Sequence, residues 1–235
     1  MKLFLTILLS SVISVFAQSH GLLTPVHIGI SNGPILDEYS QVLKGSSAID
    51  SSKCDLILVL NGEQGIYPPS YNGMSHTDNP ALPNGQTRIG NLVSPFFLNP
   101  GIVSVSLANP RPQQNDKLFL RAFNASTIEG ASFYSDSQIL IVKNNNVLYA
   151  EMAPIQPIDP RDFDVDGLNN SWEKSLGSNP YEIDTDGDGV IDSAEFIAGT
   201  DLLDIEDYLK VRINRLGLDV LLSWNSVIDR FYRVE

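Results

Sequence analysis

The sequence predicts a mainly β protein: an antiparallel β-sandwich, then a compact tandem-loop segment, then a partial C-terminal β module. Between residues 22 and 152, short runs of β-branched and aromatic residues alternate with clusters of Gly, Pro, Asn and Asp. No amphipathic helical pattern of ten or more residues interrupts them. Residues 159–207 hold 15 of the 28 acidic residues but only Arg161 and Lys174 of the 15 basic ones, a net −13, while the 13 acidic and 13 basic residues elsewhere cancel. After residue 207 the β pattern returns.

Residues 1–18 read as a secretory signal: Lys2, an apolar run, then Val15 and Ala17 ahead of cleavage at Gln18. The run is too short for a comfortable membrane span. Residues 19–152 form the sandwich-like domain, with candidate strands at 25–30, 55–60, 102–107, 117–123, 139–143 and 147–150. In 117–123, Leu118, Leu120 and Ala122 share one face and Phe119, Arg121 and Phe123 the other. Asn144, Asn145 and Asn146 tolerate positive φ, so the last two strands are expected to form a hairpin. Cys54 is the single cysteine, which excludes an internal disulfide and is expected to be a half-buried thiol beside a strand. Residues 61–100 are loop-rich, and Tyr67, Pro68, Pro69, Tyr71 and His76 are a candidate binding surface there.

Three prolines within residues 153–160 make that stretch an extended connector. The tandem segment occupies 161–206, and 207–235 is the partial β module, with strands expected at 208–214 and 218–224 and a third run at 231–234. Two and a half strands cannot bury both faces of a sheet. They are expected either to pack on the first domain or to belong to a longer gene product.

The tandem segment carries the chemistry. Residues 162–173 read DFDVDGLNNSWE and residues 184–195 read DTDGDGVIDSAE, and both fit D-x-[DN]-x-[DN]-G-x5-E, the second 22 residues after the first. Calcium takes six to eight oxygens at about 2.3–2.6 Å, and such a loop supplies them. In the first loop the candidates are Asp162, Asp164, Asp166, the Leu168 carbonyl, Asn170 (directly or through water) and Glu173. In the second they are Asp184, Asp186, Asp188, the Val190 carbonyl, Asp192 and Glu195. About two Ca2+ ions are therefore expected, in structural roles. Magnesium, which prefers water-rich octahedral sites, is disfavoured.

Only ten residues, 174–183, separate the loops, too few for the exit helix, linker and entry helix of paired EF-hands. Each loop instead leads into a short helical turn that stops at glycine, Gly177 or Gly199, with Pro180 reinforcing the first stop. Leu176 and Phe196 or Ile197 are expected to form a small apolar core.

The pattern D-x-D-x-D-G-L…E-x3-G-S-N-P…D-T-D-G-D-G-V-I-D…E-x3-G-T-D over residues 162–204 resembles bacterial thrombospondin type 3 calcium repeats. The resemblance implies a compact, calcium-wrapped spacer of exported or surface proteins. Leu202 stands where that family commonly has proline. A dockerin, the other tandem calcium module, usually has loops further apart and lacks Glu at position 12. The C-terminal L-x-W-x-S-V-x-x-R-x-Y-x-V-E resembles the start of a small β module at the ends of large secreted bacterial proteins.

No catalytic constellation stands out. His20, His27 and His76 are scattered, with no H-x-x-x-H pair and no G-x-S-x-G elbow. The absence of a basic patch argues against nucleic acid. The expectation is a secreted or cell-surface structural, interaction or adhesion protein, with two calcium sites making a rigid spacer between β modules. Its expected partners are calcium and another surface protein or polysaccharide, with no membrane span in the mature chain. The alternative is a secreted hydrolase or carbohydrate-binding protein that uses residues 61–100.

Overall fold

The computed structural model describes residues 25–43, 54–89, 104–108, 110–144, 147–228 and 230. The proposed signal at 1–18 and the run at 231–234 lie outside them. The chain divides into two compact units between Gln156 and Pro157.

The first unit contains two sheets. Strands β1 (Val26–Ile30), β4 (Ser104–Leu107) and β8 (Val147–Ala150) make one, in the order β4-β1-β8. The larger sheet has the order β3-β2-β5-β6-β9. Its strands are β2 (Leu56–Asn61), β3 (Ala81–Arg88), β5 (Lys117–Phe123), β6 (Phe133–Asp136) and β9 (Gln156–Pro157), and β7 (Leu140–Ile141) adds to one end of β5. One apolar cluster joins the sheets: Val26 and Ile28 from β1, Ile57 and Val59 from β2, Leu118, Leu120 and Ala122 from β5, and Leu148 and Ala150 from β8. The mainly β, largely antiparallel expectation therefore holds, and the Leu118 face of β5 points into the shared core.

Three features differ from the sequence reading. β7 pairs with β5 while β8 pairs with β1, in parallel, so the asparagine-linked strands lie in different sheets and form no hairpin. Ala81–Arg88, inside the stretch read as loop, is a strand despite Pro83 and Gly85. It is an edge strand whose register against β2 shifts between Leu58 and Leu60, and proline and bulges are tolerated at edges. A Cβ on Gly85 would meet the carbonyl oxygens of Val59 and Leu82 at 3.0 Å, so a larger residue there would make the backbone shift. The third feature is β6, too short at four residues to announce itself by alternation.

The outer face of β5 is buried as well. Phe119, Arg121 and Phe123 are fully enclosed. A buried guanidinium requires partners. Arg121 donates from Nε and Nη2 to the two carboxylate oxygens of Asp136 at 2.7 and 2.6 Å, and from Nη2 to the Tyr67 carbonyl at 2.7 Å. Its guanidinium also lies 4.9 Å from the Tyr134 ring centre. The Tyr67 loop is thereby fixed to the sheet. Buried Asn79 fixes it again, accepting from Tyr67 N–H and donating to the carbonyls of Asn61 and Gly65. Cys54 is fully buried rather than half-buried.

The second unit contains two short helices, α1 (Asn170–Leu176) and α2 (Asp192–Ala198), and a hairpin of β10 (Val211–Leu216) and β11 (Asp219–Trp224). The hairpin turns at Gly217 and Leu218, with Leu216 opposite Asp219. Val211, Ile213, Val220, Leu222 and Trp224 share one face of it by register. Among the described residues no helix is long and apolar enough to cross a membrane.

Candidate metal centre

Each acidic loop is shaped by its own aspartates. In the first, Asp162 accepts from the N–H groups of Val165 and Gly167, Asp164 from Asp166, and Asp166 from Leu168. The second repeats this: Asp184 accepts from Gly187 and Gly189, Asp186 from Asp188, and Asp188 from Val190. Such short side-chain-to-backbone bonds are what Asp makes in turns. The loops close alike, with Asn170 N–H on the Arg161 carbonyl and Asp192 N–H on that of Ile183. Gly167 and Gly189 hold φ of 107° and 95°, conformations that favour glycine. At the fourth position the second loop has Gly187 at φ 77°, whereas the first holds Val165 at φ 63°, a strained setting for a β-branched residue.

Both helices end as the sequence predicts. Gly177 and Gly199 adopt left-handed backbone, and their N–H groups bond to the carbonyls of Glu173 and Glu195. Those glutamates consequently sit in the last helical turns with their side chains fully buried. Trp172 packs on Phe196 with ring centres 5.0 Å apart, and Leu168 and Leu202 are buried. Phe196 thus joins the small core, whereas Ile197 is exposed.

Carboxylates gather closely in each loop. Ligand atoms of Asp162, Asp164 and Asp166 lie within 4.8 Å of one another, as do those of Asp184, Asp186 and Asp188. Two like charges at ~4 Å cost about 1 kcal/mol in water and several-fold more where solvent is excluded. Burial first, and then the carboxylates of Asp164, Asp166, Asp192 and Asp162, push the Glu173 pKa from 4.5 up to about 7. Glu195 is likewise pushed up to about 7 by burial, then by Asp186, Asp188 and Asp192, against an opposing hydrogen bond from Thr200.

The fit to a hard cation rests on buried oxygens that no donor satisfies. They are Oδ2 of Asp164, Asp186 and Asp188, both carboxylate oxygens of Glu173, Oε2 of Glu195 and Oδ1 of Asn170. Stranded buried carboxylate oxygens are costly, and a divalent ion bound by oxygens satisfies several of them at once. The donor set is entirely oxygen, which suits calcium and not a soft or nitrogen-seeking metal.

The other residues read from the sequence are placed as follows. Asn170 donates its amide to Asp159, leaving its unpartnered carbonyl oxygen for an ion. Asp192 is buried, and its two oxygens accept from the N–H and hydroxyl of Thr185 at 2.8 and 2.6 Å. Leu168 and Val190 follow the triplets with their N–H groups on Asp166 and Asp188. Thr185, Ser193 and Thr200 were not legible as functional. None is a ligand type the motif specifies, and each acts through a carboxylate: Thr200 donates to Glu195 at 3.2 Å, and Ser193 donates to Asp166.

Aromatic rings close the first repeat on itself, Phe163 stacking on Tyr181 with centres 5.0 Å apart, whereas Trp172 on Phe196 joins it to the second. No curated protein and no solved structure matches the chain. The family model of the bacterial TSP3 repeat matches twice, at residues 162–181 and 184–203. Tandem calcium-type loops, glycine-stopped helices and this double match agree, and residues 162–203 are two bacterial TSP3 repeats.

Proposed function

We propose that this is a secreted or cell-surface structural and interaction protein, in which two calcium ions stiffen a spacer between β modules. The observation that carries the reading is the set of buried, unpartnered carboxylate oxygens behind each aspartate triplet. The first ion would be held by Asp162, Asp164, Asp166, the Leu168 carbonyl, Asn170 and Glu173. The second would be held by Asp184, Asp186, Asp188, the Val190 carbonyl, Asp192 and Glu195. Calcium cancels the like-charge repulsion that otherwise loosens the segment, so binding and ordering are one event. Calorimetry should find about two sites with dissociation constants on the order of 10⁻⁴–10⁻³ M, typical of extracellular modules. Absence of binding heat, together with unchanged protease sensitivity of residues 159–207, would end the proposal.

A second reading has one specific observation in its favour. On the doubly anchored loop, Tyr67 stacks on His76 at 4.7 Å, with Tyr71 exposed nearby in sequence. Aromatic rings on a rigid loop suit the apolar faces of sugar rings, so this surface is the place for a carbohydrate contact. Retention on immobilised polysaccharide that Tyr67→Ala and Tyr71→Ala abolish would favour it over a purely structural role.

A further inference from the structure

The two helices of the calcium segment are capped differently. In α1 the local residue Asn169 accepts from Trp172 N–H, the usual side-chain cap. In α2 the equivalent residue is Ile191, which makes no such bond. The missing acceptor comes from the other repeat, 27 residues back. Asp166 takes the Ser193 N–H on Oδ2 at 2.9 Å, and its carbonyl takes the Ser193 hydroxyl at 2.6 Å. Ser193 also packs directly over Gly167, at a distance where a Cβ would be in van der Waals contact. Asp166 therefore belongs to the first loop and caps the helix that carries Glu195 of the second.

The second loop shows what this contact changes. Asp188, the counterpart of Asp166, has an Oδ2 that is buried and unpartnered, and residue 215, where the counterpart of Ser193 would fall, is an arginine in β10. The bond thus runs one way, from the second repeat back to the first.

We infer that Ser193 is a positioning residue that couples the two calcium loops, so that filling the second loop organises the first. This rests on the calcium reading above. An ion in the second loop holds Glu195 and with it α2. The fixed helix presents the N–H and hydroxyl of Ser193 to Asp166, and Asp166 is then set for the first ion before that ion arrives. Because coupling free energy is reciprocal, an ion on Asp166 favours the second loop equally.

The test is a calcium titration of the full chain by amide NMR, following Gly167 for the first loop and Gly189 for the second. In the native chain, Glu195→Gln should raise the midpoint of Gly167 about five-fold, the worth of one ordinary hydrogen bond. In a Ser193→Ala background, which keeps the N–H bond to Asp166 Oδ2 but loses the hydroxyl bond to its carbonyl, the same change should move Gly167 clearly less, and Ser193→Thr, which keeps the hydroxyl, should restore the response. Asp188→Asn, which weakens the second loop without changing a residue of α2, should act as Glu195→Gln does. If Gly167 ignores both second-loop variants in the native chain, the loops are independent and the coupling is wrong. If it responds as fully without the Ser193 hydroxyl, the coupling runs elsewhere. If neither glycine responds to calcium in the native chain, the calcium reading itself falls.

Discussion

Thr185 holds Asp192 at both carboxylate oxygens, with its N–H on Oδ1 at 2.8 Å and its hydroxyl on Oδ2 at 2.6 Å. Asp192 is fully buried. Its charge raises the pKa of both Glu173 and Glu195, so it stands electrostatically between the two loops. Thr185→Val keeps the shape but removes one donor from this buried charge. A hydrogen bond to a charged group contributes about 1.5–3 kcal/mol. The calcium-loaded protein should lose stability of that order, read from the urea midpoint of the second unit. No measurable shift would mean that the Thr185 hydroxyl is dispensable.

Glu173→Gln and Glu195→Gln each remove a charge and the symmetric carboxylate that can grip an ion with both oxygens. Each should weaken its own loop by roughly ten- to a hundred-fold, on the scale of a charged contact, with the smaller coupled effect on the other loop. Calorimetry of either variant should therefore show one site in the range where the native chain shows two. Two intact sites in Glu173→Gln would remove Glu173 from the ligand set.

In the ion-free protein Glu173 and Glu195 have pKa values pushed from 4.5 up to about 7. A raised carboxyl pKa means the folded segment holds protons that the unfolded chain has released. The contribution is therefore fully present below about pH 4.5 and is lost as pH rises through about 7. Calcium displaces these protons, so binding at pH 6 should release protons and apparent affinity should rise with pH until about 7.5. Calorimetry at pH 6 in two buffers of different ionisation heat gives the proton count. Equal heats in both buffers would rule the linkage out.

Arg121 is fully buried in β5 against Asp136 and the Tyr67 carbonyl. Removing one partner of a buried pair leaves the other stranded, at a cost of about 3–5 kcal/mol. Arg121→Ala should destabilise the first unit by that order. Arg121→Lys should do little better, because lysine cannot form the two parallel bonds to Asp136. Calcium affinity of the second unit should not change in a folded variant. Chemical denaturation followed by tyrosine fluorescence measures the first effect, and a loss under about 1 kcal/mol would show that the pair is not structural.

Legibility followed sequence distance. The calcium loops could be read from twelve-residue windows because their shaping bonds span two to five residues, from Asp166–Leu168 to Asp162–Gly167. The glycine stops at Gly177 and Gly199 are local for the same reason. Strand β5 matched its predicted bounds because both of its faces are apolar apart from Arg121 and the terminal Lys117. The sequence alone determined a β-rich chain, a localised acidic segment, two aspartate-rich loops and the residues that end their helices.

Only the tertiary structure decided that β8 joins β1 in parallel and that a proline-bearing segment is an edge strand. The same is true of Tyr67, which anchors Arg121 from 54 residues away, and of Asp166, which caps a helix 27 residues further on. The reason is physical. Short-range turn chemistry depends on neighbours in the chain, whereas a sheet partner, a buried charge or a distant cap is chosen by which unsatisfied groups meet when the core closes.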